Sequence, residues 1–243
     1  MRKHVLALAL CLGCTLFITP NSARAIVNGQ PEADLSRHTV MVLDDHGHVC
    51  TGAVITQTSI LTAAHCVAAA GAWRVHWRGP DNAVMLLEPK AIRIHPGYDA
   101  NAVKTRSRSI DLAVITLGEP LPPSFEPISL SDAASVQPGD TITVAGYGLT
   151  DEKNRKSLGK LNRADLAVVE PNGHSTILVW LSDPASNGMG GCHGDSGGPM
   201  LFQGALIAIT SWTTGEGKRD CGALTQGALI APQRDWIKKA IEP

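Results

Sequence analysis

Short apolar runs separated by turn-forming residues recur along almost the whole chain. The runs are rich in Val, Ile, Leu and Thr, and Gly, Pro, Asn or Asp bounds many of them, which is typical of β-strands. Spacing this frequent, with few stretches of helical period, predicts an antiparallel all-β architecture. The predicted strands are residues 39–43, 52–55, 59–62, 113–117, 141–145, 176–181 and 205–211.

Two stretches depart from this pattern. The tail, residues 232–241, begins with a proline, and its apolar residues Trp236, Ile237 and Ile241 are spaced to face a core, which predicts a helix. Residues 119–140 are rich in proline, which is typical of a loop. Because this loop lies near the middle of the chain, we predict that it connects two domains.

The first 25 residues have the pattern of a secretory signal peptide. Arg2 and Lys3 precede an apolar stretch over 5–17, and the small-residue sequence Ala23-Arg24-Ala25 follows. A retained membrane anchor is the alternative, but about 20 apolar residues are needed to cross a bilayer and this run is shorter. We expect cleavage before Ile26, a secreted or periplasmic location, and no membrane attachment after the signal is removed.

The charge of the chain argues against a nucleic-acid partner. It has 21 Lys or Arg and 22 Asp or Glu among 243 residues, a formal net charge of −1. Loss of the three basic residues of the signal peptide would change this to −4. Neither value gives the positive surface that nucleic acid requires. A hydrophobic content of 44% also excludes disorder over the whole chain.

Four cysteines lie outside the predicted signal peptide. An even number in an exported chain favours two disulfides. A zinc site fits less well, because neither Cys-x-x-Cys nor His-x-x-x-His accompanies them. The four residues are Cys50, Cys66, Cys192 and Cys221.

Three short stretches contain residue types that nucleophilic catalysis uses. His65 ends an apolar run beside Cys66, and Asp111 opens another run; either alone is more often structural. The third stretch, Gly191-Cys192-His193-Gly194-Asp195-Ser196-Gly197-Gly198-Pro199, has four glycines whose amides can converge near Ser196. A serine hydroxyl is a poor nucleophile unless a base removes its proton and donors stabilise the oxyanion.

In chain order, LTAAHC, DLAVITL and GDSGGP resemble the signature of the trypsin/chymotrypsin family of serine peptidases. The resemblance covers nearly the whole chain after the signal. The sequence Ile26-Val27-Asn28-Gly29 resembles the family's mature N-terminus, Gly146-Tyr147-Gly148 the opening of its second barrel, and Ser211-Trp212 its substrate-binding strand.

This resemblance implies two packed antiparallel β-barrels (chymotrypsin-like) with a short C-terminal helix and an active site in the cleft between them. The implied units are a signal peptide over 1–25, an N-terminal barrel over 26–121, a linker over 122–136, a C-terminal barrel over 137–231 and a helix over 232–243.

The resemblance also implies a role for each residue of the site. Ser196 would attack the scissile carbonyl, His65 would take its proton, and Asp111 would orient His65. The N–H groups of Gly194 and Ser196 would form the oxyanion hole. The implied disulfides are Cys50–Cys66 and Cys192–Cys221.

Family members generally need a free amine on the mature N-terminal Ile, which pairs with the Asp before the catalytic Ser. That pair would be Ile26 with Asp195, whose buried charge demands a partner. Because the Ala-x-Ala site ends directly before Ile26, we predict that export cleavage itself creates the activating amine. A cut after Arg24 is the competing interpretation, and it would leave the chain one residue too long.

The resemblance also implies which residues form the pocket that selects the substrate. The pocket floor, which is Asp in trypsin-like members, falls on Gly190, so cleavage after Arg or Lys is not expected. Ser211 and Trp212 would line the substrate strand, and Thr213 and Gly227 would be wall positions. Thr213 would restrict entry to small or medium uncharged side chains.

No metal or other cofactor is predicted. His46 and His48 flank Gly47 and are potential metal ligands, but hairpin loops often carry such residues and the loop interpretation is favoured. In residues 77–92, Asp81 and Glu88 are too few carboxylates for a calcium cage.

The sequence therefore predicts a secreted serine endopeptidase that acts through an acyl-enzyme intermediate. A catalytically silent, protease-like binding protein is the alternative, and an esterase is a third interpretation. The expected partners are a protein or peptide substrate and, as a further candidate, a protein inhibitor. We expect a monomer.

Overall fold

A computed structural model of the chain describes residues 26–105, 107–131 and 136–242. The predicted signal peptide, residues 132–135 of the predicted linker and the last residue of the predicted helix lie outside this part. No helix in it is long and apolar enough to cross a membrane.

The described strands are, in chain order, β1 (Gln30–Pro31), β2 (Thr39–Asp44), β3 (Val49–Thr56), β4 (Ser59–Thr62), β5 (Trp73–Arg78), β6 (Val84–Leu87), β7 (Pro89–Ile94), β8 (Ala113–Leu117), β9 (Thr141–Gly146), β10 (Asn162–Val169), β11 (Leu178–Ser182), β12 (Pro199–Phe202), β13 (Ala205–Gly215) and β14 (Gly222–Leu229). The α-helices are α1 (Ala102–Thr105) and α2 (Arg234–Ile241). Short 3-10 turns lie at Asp34–Arg37, Ala64–Cys66, Pro80–Asn82, Arg155–Ser157 and Ala231–Gln233.

The strands form two antiparallel sheets that coil into barrels. The first has the order β6-β5-β2-β3-β4-β8-β7, and the second has the order β1-β10-β11-β14-β13-β12-β9. In the second, β9 also pairs with β10, so that this sheet closes on itself. The expected fold, all-β with two packed antiparallel barrels, is confirmed.

Alternation of side chains explains a strand that sequence analysis missed. Along β10 every second residue is buried, and Ala164, Leu166 and Val168 point into the core of the second barrel. Arg163 and Asp165 stand between them on the outside. The charged outer residues hide the period-2 pattern when only apolar runs are sought.

The predicted C-terminal helix is present as α2. Ile237 is fully buried, and Trp236 and Ile241 pack against the core of the first barrel, as predicted. A guanidinium nitrogen of Arg93 in β7 donates to the backbone oxygen of Ala240 at 2.6 Å. The helix at the end of the chain is therefore anchored on the first barrel.

Candidate active site

Strand pairing brings His65 and Asp111 together. The antiparallel strands β4 and β8 pair with Thr62 opposite Ala113. His65 lies three residues after Thr62, in the 3-10 turn Ala64–Cys66, and Asp111 lies two residues before Ala113. Residues that follow one antiparallel strand lie beside those that precede its neighbour, so both side chains meet at one end of the pair.

The Asp111 carboxylate is held by three donors. Its Oδ1 accepts the backbone N–H of His65 at 2.9 Å, and its Oδ2 lies 2.7 Å from Nδ1 of His65. The hydroxyl of Ser211 also donates to Oδ2, at 2.5 Å. Because a carboxylate only accepts, the Nδ1 of His65 carries the proton in this pair and Nε2 is left with its lone pair.

The environment shifts the pKa values of Asp111 and His65 so that the charged form of each is favoured. Burial raises the pKa of the Asp111 carboxyl, but the hydrogen bonds from His65 and Ser211 and the charge of His65 outweigh it, so that the pKa is lowered. Burial likewise lowers the pKa of His65, but the hydrogen bond and charge of Asp111 raise it above its ordinary value. The pair therefore stabilises an imidazolium, the species that a general base forms.

The Ser196 loop is fixed against the first barrel by Thr51 of β3. The Thr51 N–H donates to the carbonyl of Ser196 at 2.8 Å, and its hydroxyl donates to the carbonyl of Gly194 at 2.9 Å. Gly197 has φ +84°, and a Cβ there would strike Thr51 and the hydroxyl of Thr62. The glycine-rich sequence thus allows this loop to approach the neighbouring barrel closely.

The last link of the predicted triad is open. The carbonyl oxygen of Ser196 lies 3.7 Å from Sγ of Cys66, and the same sulfur lies 3.8 Å from Nε2 of His65. Within the described residues, no hydrogen bond joins the hydroxyl of Ser196 to His65. The two residues are therefore neighbours that both contact the Cys66 sulfur.

Two N–H groups of the loop are unoccupied. Over residues 26–105, 107–131 and 136–242, neither the Gly194 N–H nor the Ser196 N–H donates to another group. The carbonyl of His193 accepts from the Leu149 N–H at 2.8 Å. In a trans peptide the carbonyl and the following N–H point in opposite directions, so the Gly194 N–H points away from Leu149. A Cβ on Gly194 would approach Gly148 Cα to 2.8 Å, which explains the glycine.

Asp195 is a fully buried carboxyl group. It accepts the N–H groups of Gly148 and Cys192, each at 2.8 Å, and no cation pairs with it among the described residues. Burial raises its pKa to about 7, although the two backbone hydrogen bonds lower it. Ile26 is also fully buried, but within the described chain it makes no hydrogen bond or ion pair with Asp195. In the 243-residue chain its nitrogen is a peptide amide, so the predicted ion pair stays a prediction.

The N-terminal segment nevertheless reaches the pocket region. The N–H of Val27 donates to the Gly190 carbonyl at 3.0 Å, and the Gly190 N–H donates back at 3.2 Å. The predicted floor residue is therefore tied to the residue that follows Ile26.

Two threonines close the predicted pocket. The Thr213 hydroxyl donates to the carbonyls of Gly191 and Leu224, at 2.7 and 3.0 Å. The Thr225 hydroxyl accepts the Gly191 N–H at 2.9 Å and lies 3.2 Å from the position of a Cβ on Gly190. Both hydroxyls thus bridge the walls of the pocket.

Gly227, the second wall position that the resemblance implied, lies on β14. A Cβ on Gly227 would strike the sulfur of Met200 and approach the Cβ of Ala208 to 3.1 Å, so its open side faces the core of the second barrel. Thr225, two residues earlier on β14, is the residue of this strand that contacts Gly190 and Gly191. The Thr225 hydroxyl contacts a residue that is 34 positions away in the sequence. Motif spacing therefore could not identify this residue.

The structure also describes Trp212 and the four cysteines that the resemblance singled out. Trp212 is 44% exposed, and its ring meets that of Trp180 edge to face at 6.2 Å. The implied disulfides, Cys50–Cys66 and Cys192–Cys221, are both present. Cysteine groups that could otherwise hold a metal are consumed in these bonds.

Comparisons with known proteins agree with this geometry. The family model described as Trypsin matches residues 26–237. The chain is 29% identical over 210 residues to human Kallikrein-8, covering 79% of this chain and 77% of the relative. It is 28% identical over 261 residues to Trypsin eta of Drosophila melanogaster, covering 97% and 95%.

A solved structure, neuropsin, described as a serine protease expressed in the limbic system of mouse brain, superposes with a TM-score of 0.74 at 22% identity. The match covers 89% of this chain and all of that one, and at this identity it shows the shared fold. The family match spans both barrels and the whole described site, and the chain belongs to the trypsin family, with the fold of its serine proteases.

Proposed function

We propose that the protein is an exported serine endopeptidase with Ser196, His65 and Asp111 as its catalytic residues. The observation that carries this proposal is the Asp111–His65 pair, with Nδ1 to Oδ2 at 2.7 Å, beside a loop whose Gly194 and Ser196 N–H groups are free. A base with its lone pair exposed and two unoccupied donors are what acyl transfer needs around a serine.

The proposed reaction proceeds in two halves. The Ser196 oxygen attacks the peptide carbonyl carbon while Nε2 of His65 takes the hydroxyl proton, and the oxyanion binds the Gly194 and Ser196 N–H groups. His65 then protonates the leaving nitrogen, the C–N bond breaks, and an acyl ester remains on Ser196. Water, losing a proton to His65, attacks the ester, and the proton returns to Ser196 as the acid leaves.

The alternative is a silent, protease-like binding protein, and the open Ser196–His65 link is the observation that favours it. Hydrogen bonds between catalytic groups often tighten only when substrate binds, so the open link does not decide the matter. Labelling with a fluorophosphonate, followed by peptide mapping, distinguishes an active peptidase from a silent binding protein. The enzyme acquires one covalent adduct, on Ser196, whereas a protein that stays unlabelled at pH 8 is a binding protein.

We expect a narrow specificity pocket to select small or medium uncharged residues before the cleaved bond. Thr213→Gly should open the pocket and raise kcat/KM for peptides with Phe at this position by at least about 10-fold, since a single methylene in an apolar pocket is worth about 10- to 200-fold. A cleavage profile on a peptide library measures this. Thr225→Ser, which keeps the hydroxyl that Gly191 uses, is the matched control and should change the profile less. A wild-type profile dominated by Arg or Lys contradicts the proposal.

We expect activity to require a free amine on Ile26. The Asp195 carboxyl, whose pKa is raised to about 7 without a partner, would pair with this amine, and a broken buried pair costs about 3–5 kcal/mol. A chain that begins at Ala25 should therefore be about 10²- to 4 × 10³-fold less active than one that begins at Ile26. N-terminal sequencing of the exported protein should find Ile26 first. Equal activity of the two chains would refute this mechanism.

A further inference from the structure

The hairpin between β2 and β3 holds two histidines in a defined turn. Oδ1 of Asp44 accepts the backbone N–H groups of His46 and His48, at 2.9 and 2.7 Å. Gly47 between them has φ +83°, a conformation that favours glycine. The Asp44 side chain is only 6% exposed, whereas the two histidine side chains are 64% and 77% exposed. The buried Asp44 carboxylate therefore fixes the backbone of the turn, and both imidazoles face solvent.

Each imidazole has a carboxylate at the same ring nitrogen. Nδ1 of His48 lies 2.6 Å from Oδ2 of Asp44, and Nδ1 of His46 lies 3.0 Å from Oδ1 of Asp45. In a neutral imidazole, an Nδ1–H that donates to a carboxylate leaves the lone pair on Nε2. Histidines that bind metals generally have this partner, which fixes the tautomer and makes the ligand more basic.

The two rings are placed to share one ion. Their centroids are 6.4 Å apart and their planes differ by 30°. With metal–nitrogen bonds of about 2.0–2.1 Å, two Nε2 ligands of one tetrahedral ion put the ring centroids about 5 Å apart, so the rings must approach by about 1 Å and turn their Nε2 atoms toward each other. Exposed side chains at the tip of a hairpin can make that rotation.

We propose that His46 and His48 bind a divalent transition-metal ion of the class that prefers imidazole, zinc or copper, through their Nε2 atoms. Asp44 and Asp45 act as positioning residues behind the two ligands. From the sequence His-Gly-His, a metal site was the less favoured interpretation; the carboxylates at both Nδ1 atoms are what the structure adds. This site does not depend on the proposed peptidase activity.

Calorimetric titration of the full protein with zinc chloride alone tests the proposal, in a Ser196→Ala background that prevents self-cleavage. We expect one equivalent of zinc, and His46→Ala or His48→Ala should each weaken binding at least tenfold. The matched control is His174, which is exposed and also paired with a carboxylate, Glu170 at 3.0 Å, but stands alone. His174→Ala should leave the affinity within twofold.

The role of Asp44 has its own readout. Asp44→Asn keeps an oxygen for the two backbone N–H groups but places an N–H donor against His48, which favours the wrong tautomer. We expect zinc binding to weaken about 10- to 100-fold, and the ¹⁵N resonances of the His48 ring to report the changed tautomer without metal. Zinc binding that persists in the His46/His48 double variant, or no binding at millimolar zinc, would overturn the proposal. If the Asn variant unfolds, the histidine variants decide alone.

Discussion

Replacement of Ser196 by alanine is expected to lower kcat for peptide hydrolysis by about 10⁶-fold. The variant loses the oxygen that we propose as the nucleophile, while the Gly194 and Ser196 N–H groups and the pocket persist. Substrate binding should change little because the pocket and the N–H donors that would contact the substrate remain. Single-turnover and steady-state kinetics on one peptide, together with a thermal unfolding curve, measure both effects.

Ser211 is a matched control for this variant. Its hydroxyl lies in the same site, but it donates to Asp111 at 2.5 Å. Ser211→Ala removes one hydrogen bond to a charged group, worth about 1.5–3 kcal/mol, and should lower kcat about 10- to 10²-fold. If Ser196→Ala costs no more than Ser211→Ala, Ser196 is not the nucleophile.

The sequence predicted strands well where a short apolar run is buried on both faces. Residues 59–62 and 113–117 match β4 and β8, which are almost wholly buried. Strands such as β5, β10 and β14 were missed, because charged, polar or glycine residues interrupt the apolar residues along them. The seven predicted strands were nonetheless enough to give the fold class.

The site was predictable to the extent that its residues lie within short motifs. His65 and Asp111 each stand next to a predicted strand, and strand pairing alone explains why they meet. Thr51 and Thr225 were missed because their side chains act on backbone groups more than 30 residues away. Counting along the chain likewise could not show that the open side of Gly227 faces the core of the second barrel, because the facing of a strand residue depends on its register.

Replacement of Asp111 by asparagine is expected to lower kcat by about 10⁴-fold with little change in the geometry of the site. The asparagine oxygen can still accept the His65 backbone N–H. Its amide nitrogen, however, would stand where Oδ2 now meets Nδ1 of His65, and it would donate to that nitrogen. The ring proton would then sit on Nε2, so that His65 could not accept the proton of Ser196.

The pH profile gives a second, independent readout of the same variant. In the wild type, kcat/KM should fall as pH drops through the pKa of His65, because only the neutral ring is a base, and Asp111 raises this pKa. Without the carboxylate the burial of the ring remains, so the pKa of His65 falls and the acid limb of the residual activity should move to lower pH.

Asp99→Asn is the matched control, because it makes the same chemical change in the loop before Asp111. The Asp99 carboxylate is exposed and accepts the Asn101 N–H, so this variant should leave kcat and the pH profile unchanged. An Asp111→Asn variant with more than a tenth of wild-type kcat, or with an acid limb that does not move, would mean that Asp111 does not set the state of His65.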